Sequence, residues 1–323
     1  MTGADRILGN TFDSEEFRDT AKLVEAKQRQ GVRISLAFPT LNEEATIGKE
    51  ILVLKTELMD RVPLLDEIAV IDSGSTDRTR EVASEFGAAV HSSRGILKKH
   101  GSYRGKGENL WKSLYVLSGD IIVWIDADIS NIGPKFVYGL VGPLLRDPAI
   151  AYVKAFYERP MSSEGKLVPT GGGRVTEILV RPLFSQFYPE LASLVQPLSG
   201  EYAGRRALLE RLPFSVGYGV ELGHLIDIYH TTGVGSIAQV NMASRVHRNQ
   251  SVHALGRMAF GILSTFHQRL EKYGEVRLLK ETGRVHLSVS AGDRGHEVER
   301  TEIPCIERPP MIEIEEYRRK FRL

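Results

Sequence analysis

Apolar and polar positions alternate between two kinds of pattern along the chain. Residues 34–38 are almost continuously apolar and close at Pro39, residues 65–71 read as the next strand, apolar from Ile68 and ending at Asp72, and residues 120–125, apolar after Asp120, run into Asp126. Unbroken runs of that length suit strands covered on both faces, as in a parallel sheet. Between them the spacing becomes helical. Glu43 and Glu44 follow Asn42 as acids of a first turn, and Ile47, Ile51, Leu54 and Leu58 supply the stripe of the helix this predicts. Residues 76–86 and 107–117 read as further helices, the second with Leu110, Leu114 and Leu117 on one face. Residues 88–91 read as a short strand, and residues 14–30 as a helix packed on the first lobe. Strand and helix in alternation predict an α/β fold with a mainly parallel, Rossmann-like sheet.

The second half is less regular. Residues 151–156 and 234–240 have strand character, and residues 220–230 and 252–273 read as helices. Gly171, Gly172 and Gly173 punctuate a loop before a helical stretch from Val175. The tail, residues 313–323, carries acids first and bases last, which suits a helix dipole. The expected organisation is a helical extension over 1–31, a first lobe over 32–150, a second over 151–273, and a C-terminal extension over 274–323.

Charge and composition narrow the function. A formal net charge of +1 argues against a general nucleic-acid binder, whose footprint is usually basic. The longest apolar stretch, residues 121–125, is strand-sized, far below the roughly 18 residues of a membrane span. The polar N-terminus has no apolar core of a leader. A single cysteine, Cys305, excludes an internal disulfide framework. The reading is a cytoplasmic protein without membrane or nucleic-acid partners.

The polar motifs cluster after strand C-termini, where open α/β sheets bind ligands. Asp126 and Asp128, with Ala127 between them, can reach a divalent cation and a ribose. An isolated pair of this kind is more often a solvated turn. Two other strand ends shift that balance: Pro39, Thr40, Leu41, Asn42, Glu43 and Glu44 after the first strand, and Ser73 to Asp77 after the second. Asn42 and Asp77 are equally candidates for helix N-caps. Between Arg94 and Lys106 lie five basic residues and no acid. Lys98 and Lys99 read as solvated, whereas Lys106, between Gly105 and Gly107 at a helix start, makes an anion site. Gly173, Arg174, Val175 and Thr176 offer a second one, with a flexible loop the equal alternative. Glu201 and Glu221, each beside glycines, are candidates for a sugar pocket, or simply a turn and a helix-start acid. Arg245, His247 and Asn249 share one side of a strand-like segment. A lone histidine is more often structural, so spacing alone does not make His247 a ligand.

Taken together, these residues resemble glycosyltransferase family 81, the glucosyl-3-phosphoglycerate and mannosyl-3-phosphoglycerate synthases, from about residue 35 to 270. The most specific stretches are GGGRVTE at 171–177, PLSGEYA at 197–203, GYGVELG at 217–223, and AQVN with RVHRN at 238–249. The resemblance implies a GT-A fold and transfer of a hexose from UDP-glucose, GDP-glucose or GDP-mannose to 3-phosphoglycerate with retention, using Mg²⁺ or Mn²⁺. It implies a donor site of Pro39, Thr40, Leu41, Glu43, Ser73, Lys106, Asp126, Ala127 and Tyr218. Gly173, Arg174, Val175, Thr176, Arg245 and Asn249 would bind the acceptor, and Asp128 and His247 the metal. Glu221, Asp126 and Lys106 would be catalytic. A homodimer is also expected, with residues 285–290 and 303–314 as the segments that reach a partner. The competing readings are a polyprenyl-phosphate glycosyltransferase, which would normally carry a membrane anchor, and a catalytically dead nucleotide-sugar sensor.

Overall fold

The computed structural model describes residues 3–158, 161–163, 166–168, 173–245, 251–292 and 295–322. Its centre is one sheet of eight strands: β1 (Thr11–Asp13), β2 (Ile34–Thr40), β3 (Glu67–Asp72), β4 (Ala89–Ser92), β5 (Ile121–Trp124), β6 (Tyr152–Glu158), β7 (Tyr202–Arg205) and β8 (Ile237–Ser244). Their order is β1-β8-β6-β7-β5-β2-β3-β4. All neighbours are parallel except β7, which runs antiparallel between β5 and β6. The expected mainly parallel α/β fold is present. The sheet continues across residue 150, so both sequence halves share one framework. The N-terminal segment adds its own strand, β1, paired to β8.

The continuous apolar runs are explained by burial on both faces. Ala37, Ile71, Ile122, Trp124, Tyr152 and Tyr202 face one core. There they meet α4 (Lys106–Val116), α6 (Val220–Thr231) and α7 (Val252–Lys272). Their neighbours Leu36, Phe38, Val70, Val123, Ile125 and Val153 face the other core. That face is covered by α1 (Thr20–Gln30), α2 (Ile47–Lys55), α3 (Thr79–Glu85) and α5 (Lys135–Arg146). Among the described residues, no helix is long and apolar enough to cross a membrane.

Two local expectations shift. The helix predicted to begin near Asn42 starts at Ile47, because Asn42 takes a left-handed φ of 60° and uses its side chain to accept from the Thr76 amide at 2.9 Å. This bond ties the loop after β2 to the loop after β3. Asp77 likewise is not the N-cap of α3, a place Arg78 takes; from one residue earlier its carboxylate accepts from the Thr79 amide at 3.0 Å.

The C-terminal extension divides into two parts. Val285–Gly292 and Gly295–Glu302 form a hairpin, beyond which Glu307–Arg308 pairs with Phe214–Ser215. Arg308 then forks onto the fully buried Glu108 of α4, at 2.7 Å through each of two nitrogens. A bidentate pair of this geometry fixes position as well as charge. Residues 303–314 therefore pack on their own chain.

Candidate active site

The C-terminal ends of β2, β3 and β5 converge on a cleft of about 530 Å³. Pro39, Thr40, Leu41 and Glu43 line it from the first end, Ser73 from the second and Asp126 from the third. Lys106 and Tyr218 complete the expected donor set there. Asp72 shapes the second loop from beneath. Its buried carboxylate accepts from the Gly74 amide at 2.9 Å and from the Ser75 hydroxyl at 2.5 Å, which holds the turn tight and brings Ser73 forward.

Ala127 is the exception among the donor residues. Its side chain is buried in the core, and its carbonyl accepts from the Thr46 hydroxyl at 2.5 Å. Past the end of β5 the chain turns so that Asp126 and Asp128 both reach Arg245 while the residue between them packs into the core.

Lys106 sits at the electrostatic centre. Its Nζ lies 2.5 Å from Asp126 and 3.0 Å from Glu221. Burial works against its charge, but Asp126 and Glu221 outweigh it and hold its pKa above the ordinary lysine value. The glycines around it are required by close approach. A Cβ on Gly107 would fall 1.8 Å from the Ser215 carbonyl oxygen, and one on Gly105 2.3 Å from that of Val216. Glu221, the second residue of α6, is nearly buried and reaches Lys106 from the far side of the cleft.

A second cation organises the carboxylates. Arg245, also nearly buried, donates from Nη2 to Asp128 at 2.6 Å and to Asp126 at 3.3 Å. Through Nη1 it meets Tyr157 at 2.8 Å and Glu201 at 3.1 Å. Burial opposes its charge, yet Glu201 and its other partners raise its pKa further above the ordinary arginine value. Arg245 was expected to face the acceptor. Here it holds the two half-buried aspartates together, because a guanidinium that is itself nearly buried needs counter-charges. Glu201, a candidate for a sugar pocket, is instead fully buried and accepts from Tyr157 at 2.6 Å. Gly200 before it makes room for Asp126, whose oxygen would lie 1.9 Å from any Cβ there.

The acceptor and metal residues are only partly described. Gly173 adopts a left-handed φ of 87°, and Arg174, Val175 and Thr176 follow it into a helical turn, with Thr176 buried. None of the four is among the residues lining the cleft. Gly171, Gly172, His247 and Asn249 lie outside the described residues. Among the described residues no group of three His, Cys, Asp or Glu side chains is arranged to hold a metal. Asp126 and Asp128 nevertheless aim hard oxygens at one shared cation, Arg245 Nη2. That donor set fits Mg²⁺ or Mn²⁺ once other oxygen or nitrogen ligands join it.

Several cleft residues were not legible in the sequence. Asn109, one turn after Lys106, lines the cleft and anchors itself to the Ile71 carbonyl at 2.7 Å. Its helical spacing from Lys106 was the available signal. Thr265 and Gly261 of α7 and residues 302–306 of the extension form the outer wall, and no local pattern assigns them there.

Comparison with known proteins places this geometry. Residues 35–212 match Glycosyl transferase family 2. The chain is 57% identical over 317 residues to a glucosyl-3-phosphoglycerate synthase of Petrotoga mobilis, covering 98% of both. The mannosyl-3-phosphoglycerate synthase of Rubrobacter xylanophilus superposes with a TM-score of 0.89 at 35% identity, over 97% of this chain and 98% of that one. The glucosyl-3-phosphoglycerate synthase of Mycobacterium tuberculosis, solved with Mn²⁺, UDP and phosphoglyceric acid, gives 0.80 at 41% identity, over 90% and 94%. The latter enzyme has also been solved with Mg²⁺ and UDP. The chain carries a Glycosyl transferase family 2 domain and belongs, as the resemblance implied, to the family of the glucosyl- and mannosyl-3-phosphoglycerate synthases.

Proposed function

We propose that this protein transfers glucose from a nucleotide-glucose donor to 3-phosphoglycerate, retaining anomeric configuration. The observation that carries the reading is the cleft in which Lys106 joins Asp126 to Glu221 at the meeting point of three strand ends. Glucose is favoured over mannose because the relative matched at 57% identity over nearly its whole length is a glucosyl enzyme. Pro39, Leu41, Glu43 and Ser73 would grip base and ribose, with Asp126 beside them. Lys106 would turn toward the donor diphosphate, and Glu221 would position the sugar. Asp128 and His247 would hold Mg²⁺ or Mn²⁺, which neutralises the charge developing on the leaving diphosphate. Arg174 and Thr176, with Asn249, would receive the phosphate and carboxylate of the acceptor. Retention by front-face attack needs no enzyme nucleophile, and the leaving phosphate accepts the acceptor's proton.

The test is a product assay with 3-phosphoglycerate, Mg²⁺ and, in parallel, UDP-glucose, GDP-glucose and GDP-mannose. Glucosyl-3-phosphoglycerate from a glucose donor is the expected product. Turnover with GDP-mannose alone would overturn the sugar assignment.

The proposed assembly is a homodimer. Val285, Leu287 and Val289 are about half exposed on one face of the C-terminal hairpin, and Val298, opposite Val289, is equally exposed. An exposed apolar row of this kind, flanked by Arg300 and Glu302 on the facing strand, suits an isologous contact. A monomer in light scattering at micromolar concentration would refute it.

A further inference from the structure

Glu50 is a buried acid that the proposed reaction does not use. It lies on α2, behind the loop that carries Asp126 and Asp128, with no solvent exposure. One carboxyl oxygen accepts from the Ile129 amide at 2.8 Å, and the other has no hydrogen-bond partner. Burial, with Asp128 and Asp126 nearby, pushes its pKa up to about 9 against the pull of the Ile129 amide. A half-satisfied buried carboxyl costs stability, and an apolar side chain would fill the same space without that cost.

The neighbours of Glu50 supply the reason to keep it. Thr46, one helical turn earlier, donates to the carbonyl of Ala127 at 2.5 Å. Lys49 donates to the carbonyl of Ser130 at 2.7 Å. Thr46 and Glu50 therefore hold the peptide groups on either side of Asp128, one by its carbonyl and the other by its amide. With both flanking groups pinned to a helix, Asp128 has little freedom except about its own side-chain torsions. Such preorganisation matters where a carboxylate must meet a cation at a fixed distance.

We propose that Glu50, together with Thr46, is a positioning residue that clamps the backbone around Asp128 and so sets the affinity of the site for its divalent cation. The inference rests on the reading of Asp128 as a metal ligand under the proposed function.

The experiment measures Mn²⁺ binding in the presence of UDP by electron paramagnetic resonance, on full-length wild type, Glu50→Gln and Glu50→Met, with thermal melts alongside. Glutamine keeps an acceptor for the Ile129 amide and methionine does not. The Met variant is expected to bind Mn²⁺ about 10–100-fold more weakly, the usual range for losing an outer partner of a metal ligand, and Gln to stay near wild type. A folded Met variant with wild-type affinity overturns the clamp. Equal losses in Gln and Met also overturn it, since the hydrogen-bond acceptor would then not be what matters. If Glu50→Met does not fold, Thr46→Val against Thr46→Ser reads the same clamp from the Ala127 side, and equal affinity in those two overturns it. Wild type that binds UDP but no Mn²⁺ overturns the metal role of Asp128 and the clamp with it. Mn²⁺ binding that survives Glu50→Met but is lost in Asp128→Asn overturns the clamp alone, whereas binding that survives both overturns the metal role of Asp128 as well.

Discussion

Replacing Lys106 by methionine removes the charge at the centre of the cleft while keeping an unbranched side chain of similar length. In the structure its ammonium touches Asp126 at 2.5 Å and Glu221 at 3.0 Å. Asp126 would keep a second cation, Arg245, at 3.3 Å. Glu221, with a side chain only 6% exposed, would lose the cation nearest to it. Removing one partner of a fully buried ion pair costs about 3–5 kcal/mol. Here Asp126 is 26% exposed and stays paired, so the loss of stability should fall lower, at about 1–3 kcal/mol. The functional loss should be separable. If Lys106 makes a charge-assisted bond to the donor diphosphate, its removal costs about 1.5–3 kcal/mol of donor binding, or roughly tenfold to hundredfold. Calorimetric titration of UDP with Mn²⁺, compared with denaturant unfolding of the same variant, measures both. A folded variant whose UDP affinity stays within about twofold of wild type would place the diphosphate elsewhere.

Other perturbations probe the remaining parts. Arg174→Ala should raise the KM for 3-phosphoglycerate about tenfold to hundredfold and leave UDP affinity within about twofold; a loss of UDP binding instead would mean the two sites have been exchanged. Gly107→Ala should displace the start of α4, since its Cβ would overlap the Ser215 carbonyl oxygen at 1.8 Å; unchanged melting and unchanged UDP affinity together would refute that close approach. Lys154 is fully buried, and burial pulls its pKa down to about 7 despite the nearby Glu221. Below pH 7 the folded state carries the full penalty of a buried ammonium. Between pH 7 and about 10.4 the folded chain sheds a proton that the unfolded chain keeps, so this group makes stability rise with pH, by at most about 1.4 kcal/mol per unit. Unfolding curves from pH 7 to about 9.5 should show that rise diminished in Lys154→Met, and parallel pH dependence in both proteins would contradict it.

The sequence by itself determined the sheet and its ligand-binding edge. Runs such as residues 34–38, broken only by Ser35, and 121–125 are apolar because both faces of the strand are covered. The residues at the ends of the strands had to lie at one edge of a parallel sheet, and Pro39, Thr40, Leu41, Glu43, Ser73 and Asp126 line one cleft. Lys106 was legible because a lysine between glycines at a helix start, beside exposed backbone amides, makes an anion site. The helix stripe of Ile47, Ile51 and Leu54 was equally plain, although its start was not: the bond from Asn42 to Thr76 joins residues 34 apart in sequence.

Tertiary structure alone decided who partners whom. The family resemblance put Arg245 among the acceptor ligands, but its charge is matched by Asp126 and Asp128, more than a hundred residues away, and by Glu201. Tyr202 to Arg205 gave no strand signal beside their glycines, yet they fill the sheet between β5 and β6, where both neighbours supply the hydrogen bonds. Residues 302–306 carry no local mark of a site. They reach the cleft because Arg308 is drawn to a buried glutamate 200 positions earlier. Local pattern records which surface a residue must bury. The identity of the opposite charge depends on how distant segments are brought together, and that is set by the fold as a whole.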